Sequence, residues 1–150
     1  MNNDTDFRKF SLSYLDTLHK TFTGDIIESI NMLCDELLYT WVNGHSVFIC
    51  GNGGSAANAL HIANDLHYGI GACRSGNIIP GLKVEALSAN PAIITCLGND
   101  IGYENIFSNQ LNVKAKEGDL LIVLSGSGNS KNIINALKVA KNLNIRSHAI

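Results

Sequence analysis

Two glycine- and serine-rich segments and one histidine–aspartate pair are the residues of this chain best suited to chemistry. Gly51-Asn52-Gly53-Gly54-Ser55 follows a short apolar run at residues 46–50 and precedes a stretch rich in helix formers at 56–66. Ser125-Gly126-Ser127-Gly128-Asn129-Ser130 in the same way joins the apolar run at 120–124 to a helical stretch at 131–143. A turn from strand to helix leaves backbone N–H groups unpaired at the positive end of the helix dipole, where an anion is favoured. Serine hydroxyls add neutral donors and glycines let the backbone come close, so a phosphate suits the second loop. No lysine follows in the Walker pattern, which disfavours a nucleotide-triphosphate loop. The same six residues also suit an ordinary turn with Ser130 or Asn129 as helix N-cap. The GxGG order of the first loop departs from the dinucleotide GxGxxG, and no acidic residue closes the next strand, which weakens a Rossmann reading. Two such loops in one crevice favour a sugar phosphate held at both ends.

On the helix after the first loop, His61 and Asp65 are spaced i, i+4 and share one face. A histidine beside a carboxylate can ligate a divalent metal or exchange protons with a sugar; it can also be a plain surface pair. His67 and Tyr68 lie near the helix end and read as capping residues. His19, His45 and His148 have no carboxylate in motif spacing and read as structural or solvated.

These residues need elements to hold them. Helical spacing runs through Phe7, Phe10, Leu12, Leu15 and Leu18, and again from Ile26 to Trp41, so two helices open the chain, broken at Thr23-Gly24-Asp25 and closed at Asn43-Gly44. Strands are expected at 46–50, 83–87, 120–124 and 145–150, with helices at 56–66, 103–113 and 131–143 between or beyond them. Apolar strands separated by helices imply an α/β fold, a parallel sheet between helical layers, with ligands gathered at the carboxyl ends of the strands. Both loops fall there. Residues 69–81 are the expected mobile surface loop. The chain stops at Ile150 in mid-strand, so a further C-terminal part, or a partner subunit covering that edge, is expected.

The 150 residues suit one domain, and 45% hydrophobic against 16% charged residues with a net charge of -2 argues against disorder and against a nucleic-acid-coating surface. No apolar run approaches the ~20 residues of a membrane helix, and the opening MNNDTDFRKF lacks a signal peptide's layout, so a cytoplasmic protein with a small-molecule partner is expected. The four cysteines, Cys34, Cys50, Cys73 and Cys96, form no CxxC pair, and Cys50 and Cys96 sit in apolar stretches; they read as buried free thiols.

Taken in order, Cys50 to Ala59, His61, Gly98-Asn99-Asp100 and Leu124 to Ser130 resemble the phosphoheptose isomerases, a family of the sugar isomerase (SIS) domain. The resemblance extends from the second helix to the chain end. It implies a three-layer α-β-α sandwich around a five-stranded parallel sheet, with residues 1–44 as N-terminal helices for oligomerisation and 45–150 as an SIS domain truncated at its C-terminal end. It implies a homotetramer with active sites between subunits. The implied activity is the interconversion, through an enediolate, of sedoheptulose 7-phosphate and D-glycero-D-manno-heptose 7-phosphate, for lipopolysaccharide or capsule heptose. The alternative is a non-catalytic sugar-phosphate-binding SIS module, such as a regulator that binds the replication initiator DnaA. By the same resemblance Ser125, Gly126, Ser127 and Ser130 form the phosphate cradle, Asn52, Gly53, Gly54, Ser55, Ala89 and Asn90 contact the sugar, and His61 is a zinc ligand. Asp65 stands where the family has a glutamate that serves as ligand or base, Asn90 where it has an aspartate, and Gly126 where it commonly has a threonine. The family's remaining glutamine and histidine lie on a helix beyond Ile150.

Overall fold

The two central strands, SVFICG and LLIVL, carry nearly unbroken apolar sequence because they are covered on both faces, whereas the edge strands, KVEA and RSHA, are more polar and partly exposed. The computed structural model describes residues 6–72 and 79–150. They fall in two units, Met1–Asp35 and Glu36–Ile150. The first holds α1 (Phe7–Thr21), started by Asp6, whose side chain accepts from Arg8 N and Lys9 N, and the opening turns of α2 (Gly24–Val42). No residue of α1 is buried; Phe7 is 77% exposed and Phe10 60%.

The second unit is an all-parallel sheet in the order β2-β1-β3-β4, with β1 (Ser46–Gly51), β2 (Lys83–Ala86), β3 (Leu120–Leu124) and β4 (Arg146–Ala149). Between β1 and β2 the chain forms α3 (Gly54–Asn64), a π-helical turn (Asp65–Gly69) and the short α4 (Ile70–Ala72). After β2 come α5 (Pro91–Asp100), a 3-10 turn (Tyr103–Asn105) and α6 (Ile106–Lys114); α7 (Lys131–Asn142) joins β3 to β4. Phe48, Cys50, Leu121 and Val123 share one core cluster with Ile106, Phe107 and Leu111 of α6 and with Ile133, Ala136 and Ala140 of α7. Side chains alternate along a strand, so the equally buried Val47, Ile49, Leu120 and Ile122 face the other layer, where α3 packs on β1 and β2. This is the expected α-β-α sandwich. It has four strands among the described residues where the resemblance implies five.

Two polar contacts fix the frame. Asp119, 1% exposed, accepts from Ser46 N at 2.8 Å and Lys116 N at 2.9 Å, tying the starts of β1 and β3 together. Glu36 of α2 pairs with Arg146 of β4, whose guanidinium lies 4.2 Å from the Tyr39 ring centre.

The helix at 91–100 was not expected, and Cys96 is exposed on it, contrary to the buried thiol read from sequence; Cys34 is exposed too, and Cys50 alone of the described cysteines is buried. Cys73 and the middle of the loop expected at 69–81, residues 73–78, lie outside the described residues; 70–72 are helical.

Candidate functional site

The pairing of β1 with β3 sets Gly51 opposite Leu124, so both strands end side by side and release their glycine-rich loops at the same edge. A crevice of about 470 Å³ opens there, lined by Ser55, Asn58, His61, Ile62 and Asp65 from α3 and its π turn, and by Leu124, Ser125, Gly126 and Ile150. That size suits a small phosphorylated sugar.

Each loop is shaped by a backbone requirement. Gly53 takes φ +54° and heads α3 with no side-chain cap, and a Cβ on Gly51 would lie 2.7 Å from Ser55 Cβ. Ser130 heads α7, again without a side-chain cap bond. Asp6 and Asn90, by contrast, cap α1 and α5 with their carboxylate and amide oxygens. Neither α3 nor α7 has a side-chain bond from its N-cap residue, although Ser55 N and Ala56 N donate to Asn52 O and Gly53 O, and Ile133 N to Asn132 Oδ1. Ser125 Oγ is buried with no hydrogen-bond partner among the described residues, and Ser88 Oγ, just beyond β2, is in the same position. A buried hydroxyl without a partner is unfavourable, so Ser125 carries hydrogen-bonding capacity that the described residues do not use. Ser127 Oγ accepts from Asn129 N at 3.3 Å and shapes the turn.

His61 Nδ1 lies 3.1 Å from Asp65 Oδ2, both side chains exposed to the crevice side of α3. The carboxylate orients the imidazole through Nδ1 and leaves Nε2 for a proton or a ligand. As a zinc site the pair is incomplete. Zinc is almost always four-coordinate, and among the described residues no group of three or more His, Cys, Asp or Glu comes together. The described residues therefore do not make a zinc site by themselves.

The remaining expected residues are placed differently. Asn52 and Ser130 line a neighbouring hollow with Tyr103, Glu104, Lys131 and Asn132. Ala89 and Asn90 line neither; Asn90 Oδ1 accepts from Ala92 N at 3.0 Å and Ile93 N at 3.2 Å, so its amide is already engaged. Asn58 and Ile62 were missed, although Ser55, Asn58, Ile62 and Asp65 form one helical stripe whose spacing is visible in the sequence.

The SIS domain family model matches residues 10–150. The phosphoheptose isomerase of Campylobacter concisus is 40% identical over 134 residues, covering 87% of this chain and 68% of that protein. That of Akkermansia muciniphila is 38% identical over 130 residues, covering 87% and 64%. The chain thus spans about two thirds of the length of these curated relatives. Among solved structures, phosphoheptose isomerase from Neisseria gonorrhoeae superposes with a TM-score of 0.81 at 28% identity, over 97% of this chain and 74% of that one. A fold with both loops and the His61–Asp65 pair at one sheet edge, together with these similarities, assigns the chain to the SIS-domain family, in its phosphoheptose isomerase branch.

Proposed function

We propose that the protein interconverts sedoheptulose 7-phosphate and D-glycero-D-manno-heptose 7-phosphate. The observation that carries this reading is the meeting, in one crevice, of a serine-glycine loop with a spare buried hydroxyl and a histidine held by a carboxylate. Ser125, Gly126, Ser127 and Ser130 would take the phosphate, with the N-terminus of α7 behind them. Ser55, with Asn52, Gly53 and Gly54, would meet the sugar chain; Ala89 and Asn90, which line neither hollow, would reach it only if the loop after β2 moved. Isomerisation takes a proton from the carbon beside the carbonyl, leaves an enediolate, and returns a proton to the former carbonyl carbon. His61 Nε2 is suited to accept and return that proton, with Asp65 steadying the imidazolium formed in between.

Zinc, which the family resemblance brings in, would need donors from outside the described residues. A homotetramer belongs to the same proposal. The unburied apolar side chains of α1, Phe7 and Phe10 among them, support self-association, since a helix rarely leaves such a stripe in water. Among the described residues no helix is long and apolar enough to cross a membrane. The cytoplasm, where phosphorylated sugars are made and used, is our proposed location.

The test is turnover of sedoheptulose 7-phosphate by the protein at its natural length. His61→Ala should lower kcat by roughly a hundredfold or more while affinity for the sugar phosphate changes only a few fold. Tight binding without turnover by the unmodified protein would leave only the sugar-phosphate-binding module.

A further inference from the structure

The amide of Asn52, in the loop between β1 and α3, is held from two sides. Its Oδ1 accepts from Tyr103 Oη at 3.0 Å and from Asn132 Nδ2 at 2.8 Å, and its Nδ2 donates to Asn132 Oδ1 at 2.9 Å. The orientation of this pair is dictated by the backbone. Ile133 N–H, which can only donate, gives to Asn132 Oδ1 at 3.0 Å. With that oxygen pinned, Asn132 Nδ2 must face the oxygen of Asn52, and Asn52 Nδ2 must face the oxygen of Asn132. Asn132 is 2% exposed, so water competes little for the pair.

A carboxamide has two acceptor sites on oxygen and two N–H donors. In Asn52 both acceptor sites and one donor are taken, and a single N–H remains. We propose that Asn132 and Tyr103 are positioning residues that make Asn52 a donor only, directed at an oxygen lone pair of the bound sugar and unable to accept from a sugar hydroxyl. This deepens the isomerase reading and rests on it. The carbonyl oxygen, and the enediolate oxygen that grows from it, offer lone pairs whose charge rises during the reaction. A donor fixed in advance is therefore worth more in the transition state than in the ground state. Asn132 is the second residue of α7, so the same pair also holds the sugar loop against the phosphate loop.

The experiment measures kcat and KM for sedoheptulose 7-phosphate, with thermal melting, on the protein at its natural length. Tyr103 is exposed, so Tyr103→Phe should leave melting unchanged while removing one of the two bonds that occupy the Asn52 oxygen. A drop in kcat of roughly three- to tenfold is expected, with KM within about twofold. Asn132→Asp sets a carboxylate oxygen against Asn52 Oδ1 whichever way the Asn52 amide faces, which breaks the pair and leaves the free N–H of Asn52 without a fixed direction; kcat should fall by at least about tenfold. Should the buried carboxylate prevent folding, Tyr103→Phe decides. Unchanged kcat in Tyr103→Phe, or a loss that follows melting temperature with no split between kcat and KM, overturns the proposal. A wild-type protein without turnover overturns the isomerase reading itself, and an active wild type with unaffected variants overturns only this inference.

Discussion

Ser125→Ala should stabilise the unliganded protein and cripple ligand binding at the same time. The Ser125 hydroxyl is buried and has no hydrogen-bond partner among the described residues. Leaving such a group unsatisfied typically costs about 1–3 kcal/mol, so exchanging it for a methyl group is expected to be neutral or stabilising by about 1 kcal/mol. For a protein of this size that corresponds to a rise in Tm of about 2–4 °C per kcal/mol. A hydrogen bond to a phosphate is worth about 1.5–3 kcal/mol, so the same change should weaken sugar-phosphate binding roughly ten- to 150-fold. Calorimetric titration and thermal melting with and without sedoheptulose 7-phosphate measure both halves on one sample. Ser127→Ala is the control: its Oγ already accepts from Asn129 N, so binding should weaken with no gain in melting temperature. A Ser125→Ala protein that melts several degrees lower, or that binds as tightly as wild type, would refute the assignment of this hydroxyl to the ligand.

Gly51→Ala should destabilise the fold by about 1–3 kcal/mol and lower sugar-phosphate affinity, because the new methyl would sit 2.7 Å from Ser55 Cβ and 2.8 Å from its carbonyl carbon; chemical denaturation and titration check both. Burial raises the Cys50 thiol from its ordinary 9.0 to about 12. Because the folded pKa is the higher one, Cys50's contribution is fully present below pH 9.0 and is lost as pH climbs toward about 12. Denaturation curves across that window should show a smaller decline for Cys50→Ala than for wild type, and parallel declines would contradict it.

The strands could be read from sequence because a parallel sheet covered on both faces demands apolar runs such as Leu120 to Leu124, which few other structures require. The two loops were legible because each follows an apolar strand and precedes a helical stretch, and because they occur together in one chain, although either alone also suits an ordinary turn. What escaped was whatever depends on tertiary closure. Residues 91–100 contain Thr95 and Gly98 and are assigned no element from the sequence, although Asn90 followed by Pro91 is a helix start of N-cap and N1 type. Cys96 was misplaced with them. The helix through Leu66 was expected as a single α-helix, yet it passes at Asp65 into a π turn, a widening that occurs often beside functional sites. The link from Asn52 to Tyr103 and Asn132 spans 51 and 80 residues, and no local spacing announces it. It exists only because β1 and β3 lie side by side.

The most direct measurement of the central claim is isomerisation run in deuterium oxide. The protein at its natural length is incubated with sedoheptulose 7-phosphate, and the products are examined by mass spectrometry and NMR. Proton removal beside the carbonyl, followed by return from a group in exchange with solvent, must leave deuterium on the former carbonyl carbon of the aldose. The account predicts an aldose 7-phosphate carrying deuterium there, formed by the wild type and lost in His61→Ala. Sugar phosphate that binds at the Ser125–Ser130 loop but stays a ketose, with no deuterium taken up, would contradict it.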